Sequence, residues 1–192
     1  MKTMNWFELL DRAGAEFRLR LDLVRDDQWS LPTPCDEWDV RGLVNHVVTA
    51  NITGERVLHG ANRDETIALN GTDLVGDDPV GAFIRSIDAQ AAAFREPGAL
   101  DQIVHHPAFD MPATQHLQFR TGDLLVHSWD LARAIGADET LDPAVVDAVW
   151  ESLLPLAEAL PASGAFGSGA SGTLGNSATR QERLLDLCGR RV

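Results

Sequence analysis

Asp123 and His127 are four residues apart, and Asp130 follows His127 by three. At 3.6 residues per turn, these three side chains fall within roughly 60° of one another on a helix. A carboxylate and an imidazole one turn apart can share a cation. Leu124, Leu125, Trp129 and Leu131 supply apolar surface around them. A third donor comes from a separate apolar stretch, where His46 sits among Leu43, Val44, Val47, Val48 and Ile52. Two imidazole nitrogens and one carboxylate oxygen suit Zn²⁺, with Ni²⁺ or Fe²⁺ as alternatives. Three protein ligands leave positions for water or substrate, which fits catalysis better than a purely structural site. Spacing alone also describes a local Asp123–His127 pair with His46 as an unrelated buried imidazole. On spacing alone, that plainer description is favoured.

The elements that carry these residues read as helices. Residues 5–25 place Phe7, Leu10, Ala13, Phe17, Leu21 and Val24 at intervals of three and four, an amphipathic helix. Pro32 and Pro34 break the next stretch into an ordered loop that brings Trp29, Cys35 and Trp38 to the core. A second helix starts after Asp39 as N-cap, with Trp38 and Leu43 placed for a hydrophobic staple, and runs to about Gly60. Residues 61–78 are polar and read as a loop or lid-like excursion. A third helix runs from Pro79 to Arg95 behind Asp78.

Pro107 and Pro112 argue against a helix over 99–114, and any strand there is short. A fourth helix spans Ala113 to Ile135 and stops at Gly136. A fifth spans Pro143 to Leu160, with Pro155 able to kink it. The Gly, Ser and Ala content of 161–180 reads as a flexible segment before a short final helix in QERLLDLCGRR. The expected fold is all-α: one domain over 1–192, an up-down four-helix bundle with an extra C-terminal helix and an irregular tail.

Composition limits the partners. A formal net charge of -13 over 192 residues disfavours a general nucleic-acid-binding role. No apolar run of about 18 residues predicts a membrane span. The start, MKTMNWFELLDR, has no signal-peptide core, so a cytoplasmic location is expected. Cys35 and Cys188 are then expected as thiols rather than a disulfide.

The segments EWDVRGLVNHVV (37–48) and GDLLVHSWDLARAIG (122–136) together resemble the DinB / mycothiol-dependent maleylpyruvate isomerase superfamily. The chain is most similar to its short group of metal-binding proteins, with W-x-V-R-x-L-x-x-H and D-x-x-x-H-x-W-D-L-A-R-A-x-G. The RLLDLCGRR ending extends the similarity over nearly the whole chain. The resemblance implies a DinB-like bundle whose divalent ion is held by His46, Asp123 and His127. In the isomerase branch the acidic ligand is a glutamate, one methylene longer than Asp123. Members with isomerase activity also carry a further C-terminal domain, so that activity is not carried over.

Two functions follow as expectations. One is a metal-dependent thiol transferase or isomerase. It would pair a low-molecular-weight thiol such as mycothiol with a small electrophilic substrate. The other is a non-catalytic module in which the ion ties two helices together; structural zinc supplies roughly 10 kcal/mol in peptides, enough for that role. In that second case His116 or Glu55 would complete the ligand set. Asp130 is expected on Arg133 or a backbone donor, His116 on an exposed helix face, His105 and His106 in solvent, and Cys35 as a buried inert thiol. Exposed apolar faces would allow a homodimer.

Overall fold

A computed structural model describes residues 4–158 and 169–192. Helix α1 (Trp6–Leu21) begins at a capping box in which Asn5 and Glu8 satisfy each other's backbone donors. Helix α2 (Val40–Leu58) starts at Asp39, whose side chain accepts from the Gly42 amide at 2.8 Å. Helix α3 (Arg63–Ile67) is a short turn within the polar excursion expected as a loop. Helix α4 (Pro79–Phe94) carries Pro79 in its first turn behind the Asp78 cap. Helix α5 (Ala113–Ile135) ends at Gly136, whose φ of 71° is left-handed. A Cβ there costs about 1 kcal/mol, so Gly136→Ala should lower the unfolding free energy by that amount and shift the urea midpoint down accordingly. An unchanged midpoint would show that the cap contributes nothing.

The chain divides into two compact units, Met1–Glu139 and Thr140–Val192. The first is the bundle. Helix α1 packs against α5 and α4, and α2 packs against the same two. The main packed pairs therefore skip the consecutive pairs α1/α2 and α4/α5. The simple up-down order does not predict this arrangement. Long connections through 22–39 and 95–112 let the chain cross the bundle between those helices. Leu10, Phe17, Leu43, Val47, Phe83, Phe94, Leu117 and Leu124 fill the interior, with the Phe17 and Phe83 rings 4.9 Å apart.

Strands β1 (Ile103–His105) and β2 (Asp110–Pro112) form a small antiparallel hairpin between α4 and α5, with Val104 opposite Met111 and both buried. The two prolines allow this because Pro112 sits at the strand end, where it also precedes α5. The fold is the all-α DinB-like class, with this hairpin as its sheet among the described residues.

In the second unit, helix α6 (Pro143–Leu153) is shorter than its periodicity predicts. The chain tightens into a 3₁₀ turn at Leu154–Leu156, around Pro155. Helix α7 (Arg180–Leu187) packs against α6 and opens with a capping box between Thr179 and Glu182. Of the segment expected to be flexible, 161–168 lie outside the described residues, and 169–179 carry no helix or strand. Among the described residues, no helix is long and apolar enough to cross a membrane.

Candidate metal centre

Helix α5 places His116, Arg120, Asp123, His127 and Asp130 at steps of four, three, four and three, which aligns them along one face. Helix α2 faces them with Asn51 and His46. The loop before α2 closes the arrangement. Its backbone is tied by Thr33 N–H and Oγ1 donating to the Trp38 carbonyl, and by Val40 N–H donating to the Leu31 carbonyl. These bonds fix Cys35 and Trp38 beside the two histidines. The Trp38 ring stacks on His46 at 4.2 Å between centroids and meets His127 edge-on at 5.8 Å.

Asp123 Oδ1 lies 3.5 Å from His46 Nε2 and 3.4 Å from His127 Nε2. Both distances exceed good hydrogen bonds. They match the separation of roughly 3.3–3.4 Å that two ligand atoms take at tetrahedral angles around a Zn²⁺ bound at 2.0–2.1 Å. The two imidazole centroids are 4.9 Å apart at 73°, so the rings converge rather than stack. The three donor groups lie close enough together that they could hold one ion, and a His₂-carboxylate set is chemically suited to it. Cys35, His127 and Asp130 form a second close group that shares His127. Among the described residues, these are the two groups of three or more donors close enough to hold an ion.

The other Asp123 oxygen, Oδ2, accepts from Arg120 Nη1 at 2.8 Å. Burial works against charge on Asp123, but Arg120 and then His127 outweigh it and hold the carboxyl well below its usual range. Burial equally opposes charge on His127. Asp123, then Asp130 and Cys35, reverse the balance and hold its pKa well above the ordinary value. A proton thus sits where an ion would carry the same sign of charge. His46 is pushed below its ordinary value, chiefly by burial, and is a neutral donor at pH 7.

His127 Nδ1 lies 2.8 Å from Asp130 Oδ2, which also accepts from the Cys35 thiol at 3.4 Å. Asp130 is fully buried. His127 is thus a partner of Asp130, whose side chain points inward from the face the two residues share. Arg133 turns outward, donates to Glu139 at 2.8 Å and covers the Trp129 ring at 4.1 Å. Cys35 is half-buried rather than buried, and its thiol touches this carboxylate.

His116 is 1% exposed, not on a solvated face, because α5 is the bundle's central helix and the hairpin covers it. Glu55 lies 3.6 Å from His59. Neither Glu55 nor His116 joins the donors around Asp123. His105 is exposed beside Asp110, whereas His106 is half-buried against His116, and burial lowers its pKa to about 4.

A cleft of about 660 Å³ opens beside the site and reaches it through His46. Trp38, Arg41, Asn45, Thr49 and Asp73 line it. Its far wall is loop 70–76, held to α2 by Asn45, which bonds the Thr72 carbonyl and the Leu74 amide, and by Arg41 on Asp73. Sequence reasoning missed Trp38 as a ring partner and missed Arg120, Asn51 and Gln90 altogether. The α5 spacing placed Arg120 on the face of Asp123, and that signal was available.

The mycothiol maleylpyruvate isomerase N-terminal domain matches residues 10–132, a span that includes every residue of the site. This chain belongs to that family. Two uncharacterised proteins of Mycobacterium tuberculosis, from strains CDC 1551 / Oshkosh and ATCC 25618 / H37Rv, are each 33% identical over 132 residues. That alignment covers 69% of this chain and 68% of each relative. The crystal structure of the mycothiol-dependent maleylpyruvate isomerase superposes with a TM-score of 0.61 at 18% identity, covering 81% of this chain and 68% of that one. A histidine-to-alanine mutant of that enzyme matches with a TM-score of 0.60 at 19% identity. At these identities the solved structures speak for the fold of this family member.

Proposed function

We propose that this member of the family binds one divalent ion, Zn²⁺ by preference and Ni²⁺ or Fe²⁺ as alternatives, through His46, Asp123 and His127. With it the protein activates a low-molecular-weight thiol for transfer to, or isomerisation of, a small electrophile. The supporting observation is the pair of 3.4–3.5 Å separations from one carboxylate oxygen to two imidazole nitrogens. A bound ion supplies a lowered thiol pKa, hence a thiolate nucleophile at neutral pH. His46 contributes a neutral nitrogen, Asp130 holds the His127 tautomer with Nε2 facing the ion, and Trp38 shields one side of His46 from water. The family's named cosubstrate makes mycothiol the first thiol to try.

The non-catalytic reading fares less well. Among the described residues no fourth acidic, histidine or cysteine donor completes the set, and the cleft gives exogenous ligands access to His46. The test is elemental analysis of the purified chain after zinc incubation and dialysis. It is followed by visible spectra of the Co²⁺-loaded chain titrated with mycothiol and with dithiothreitol. One ion per chain and a thiol-dependent spectrum are expected. A chain that takes up no stoichiometric ion rules the proposal out. A loaded chain blind to both thiols rules out the thiol chemistry.

A further inference from the structure

Arg120 is a buried cation, 5% exposed, and all three directions of its guanidinium are used. Nη1 donates to Asp123 Oδ2 at 2.8 Å, Nη2 to Asn51 Oδ1 at 2.9 Å, and Nε to Gln90 Oε1 at 2.9 Å. The chain of bonds continues. Gln90 Nε2 donates to Asn51 Oδ1 at 3.2 Å, Asn51 Nδ2 to Ser86 Oγ at 3.1 Å, and Ser86 Oγ to the Phe83 carbonyl at 2.9 Å. Asn51 and Gln90 are both fully buried. Three helices, α2, α4 and α5, therefore meet on one guanidinium. A planar fork bound at three points has little rotational freedom, so the Asp123 carboxylate it grips has little either. Gly54 on α2 makes the room for this device, because a Cβ built there would overlap Gln90 Oε1.

We propose that Arg120, locked by Gln90 and Asn51 in the space left by Gly54, is a positioning residue that restricts Asp123 to donating a single oxygen. Oδ2 is committed to the guanidinium, and Oδ1 alone faces His46 and His127. A carboxylate free to turn could offer both oxygens and fill a second coordination position. Held to one oxygen, the three protein groups leave that position to an incoming ligand. This role rests on the metal site proposed above, but it is separable from it. An ion can bind whether or not Asp123 is restricted. Arg120 touches neither thiol nor electrophile; it acts through Asp123.

The test uses the full chain loaded with Co²⁺, whose visible band strength reports coordination number, and titrates dithiothreitol. Arg120→Met removes the grip, Arg120→Lys restores one donor to Oδ2, and Gly54→Ala displaces Gln90 without touching Arg120 or Asp123. Arg120→Met is expected to weaken the band and raise the dithiothreitol Kd roughly tenfold or more, the effect typical of groups that orient ligands. Arg120→Lys should recover most of that loss, and Gly54→Ala should shift Kd and band in the same direction by a smaller factor. Circular dichroism checks folding. If Arg120→Met does not fold, Gly54→Ala decides alone, by whether its Kd and band move from wild type. Kd values within about twofold of wild type in the folded variants overturn the proposal, as do identical spectra for Lys and Met. A wild-type chain that takes up no Co²⁺ overturns the metal site itself, and this role with it.

Discussion

His127→Ala is expected to abolish stoichiometric zinc loading and to lower the stability of the metal-free chain by about 3–5 kcal/mol, the cost of breaking a buried charge pair. His127 lies between two carboxylates, with Nε2 3.4 Å from Asp123 Oδ1 and Nδ1 2.8 Å from Asp130 Oδ2. Its side chain is 7% exposed and that of Asp130 is 0% exposed. Alanine takes from Asp130 its 2.8 Å imidazole partner and from Asp123 its 3.4 Å one, leaving Asp123 with Arg120 and His46. Because the His127 pKa is raised in the folded chain, its contribution is fully present below its ordinary value of 6.5. It is lost as pH rises through the raised value. The urea comparison therefore belongs at about pH 6, where the carboxylates are also charged. Asp130→Asn keeps an acceptor for Nδ1 but removes its charge, and should weaken zinc binding roughly 10- to 100-fold without abolishing it. A His127→Ala chain that still takes up one zinc per molecule would remove His127 from the ligand set.

The bundle was legible because long helices announce themselves in periodicity and caps. Asp39, Asp78 and Gly136 each stand where the chain starts or stops a helix. The α5 polar face was legible for the same reason, since three- and four-residue steps fix angles on a helix. The partner choices on that face were not. Asp130 has Arg133 three residues away and His127 three residues away, and sequence cannot tell which lies inside the bundle. Burial decides it, and burial depends on which helices flank α5. The order of the helices was hidden likewise, because connections as long as 22–39 do not force consecutive helices to be neighbours. Gln90 and Asn51 were invisible as site residues. Buried amides matter here only through Arg120, and that relation exists only after α2, α4 and α5 have met.

The same burial makes His116 a liability that a hydrophobic residue should relieve. Among the described residues, neither of its ring nitrogens has a hydrogen-bond partner, and the residue is 1% exposed. Its ring packs 5.6 Å from Phe94 and 5.5 Å from His106. A neutral imidazole always carries one N–H, and leaving a buried donor unpaired costs about 1–3 kcal/mol. His116→Leu, of similar volume, is therefore expected to stabilise the chain by about 1–2 kcal/mol at pH 7 in urea unfolding. Acid enlarges the difference. Burial, followed by His106 and Arg120, holds the folded pKa well below the ordinary 6.5. The unfolded chain thus takes up a proton that the folded chain refuses, and stability falls as pH drops below 6.5 toward the folded value. At pH 5 that difference is worth about 2 kcal/mol for one such histidine. His106 adds a loss of the same sign, ending near its lowered value of about 4. The variant removes the His116 share and leaves that of His106. Urea midpoints at pH 7 and pH 5 read both effects. A variant less stable at pH 7, with the wild type's full loss on acidification, would mean that the imidazole is satisfied where it sits.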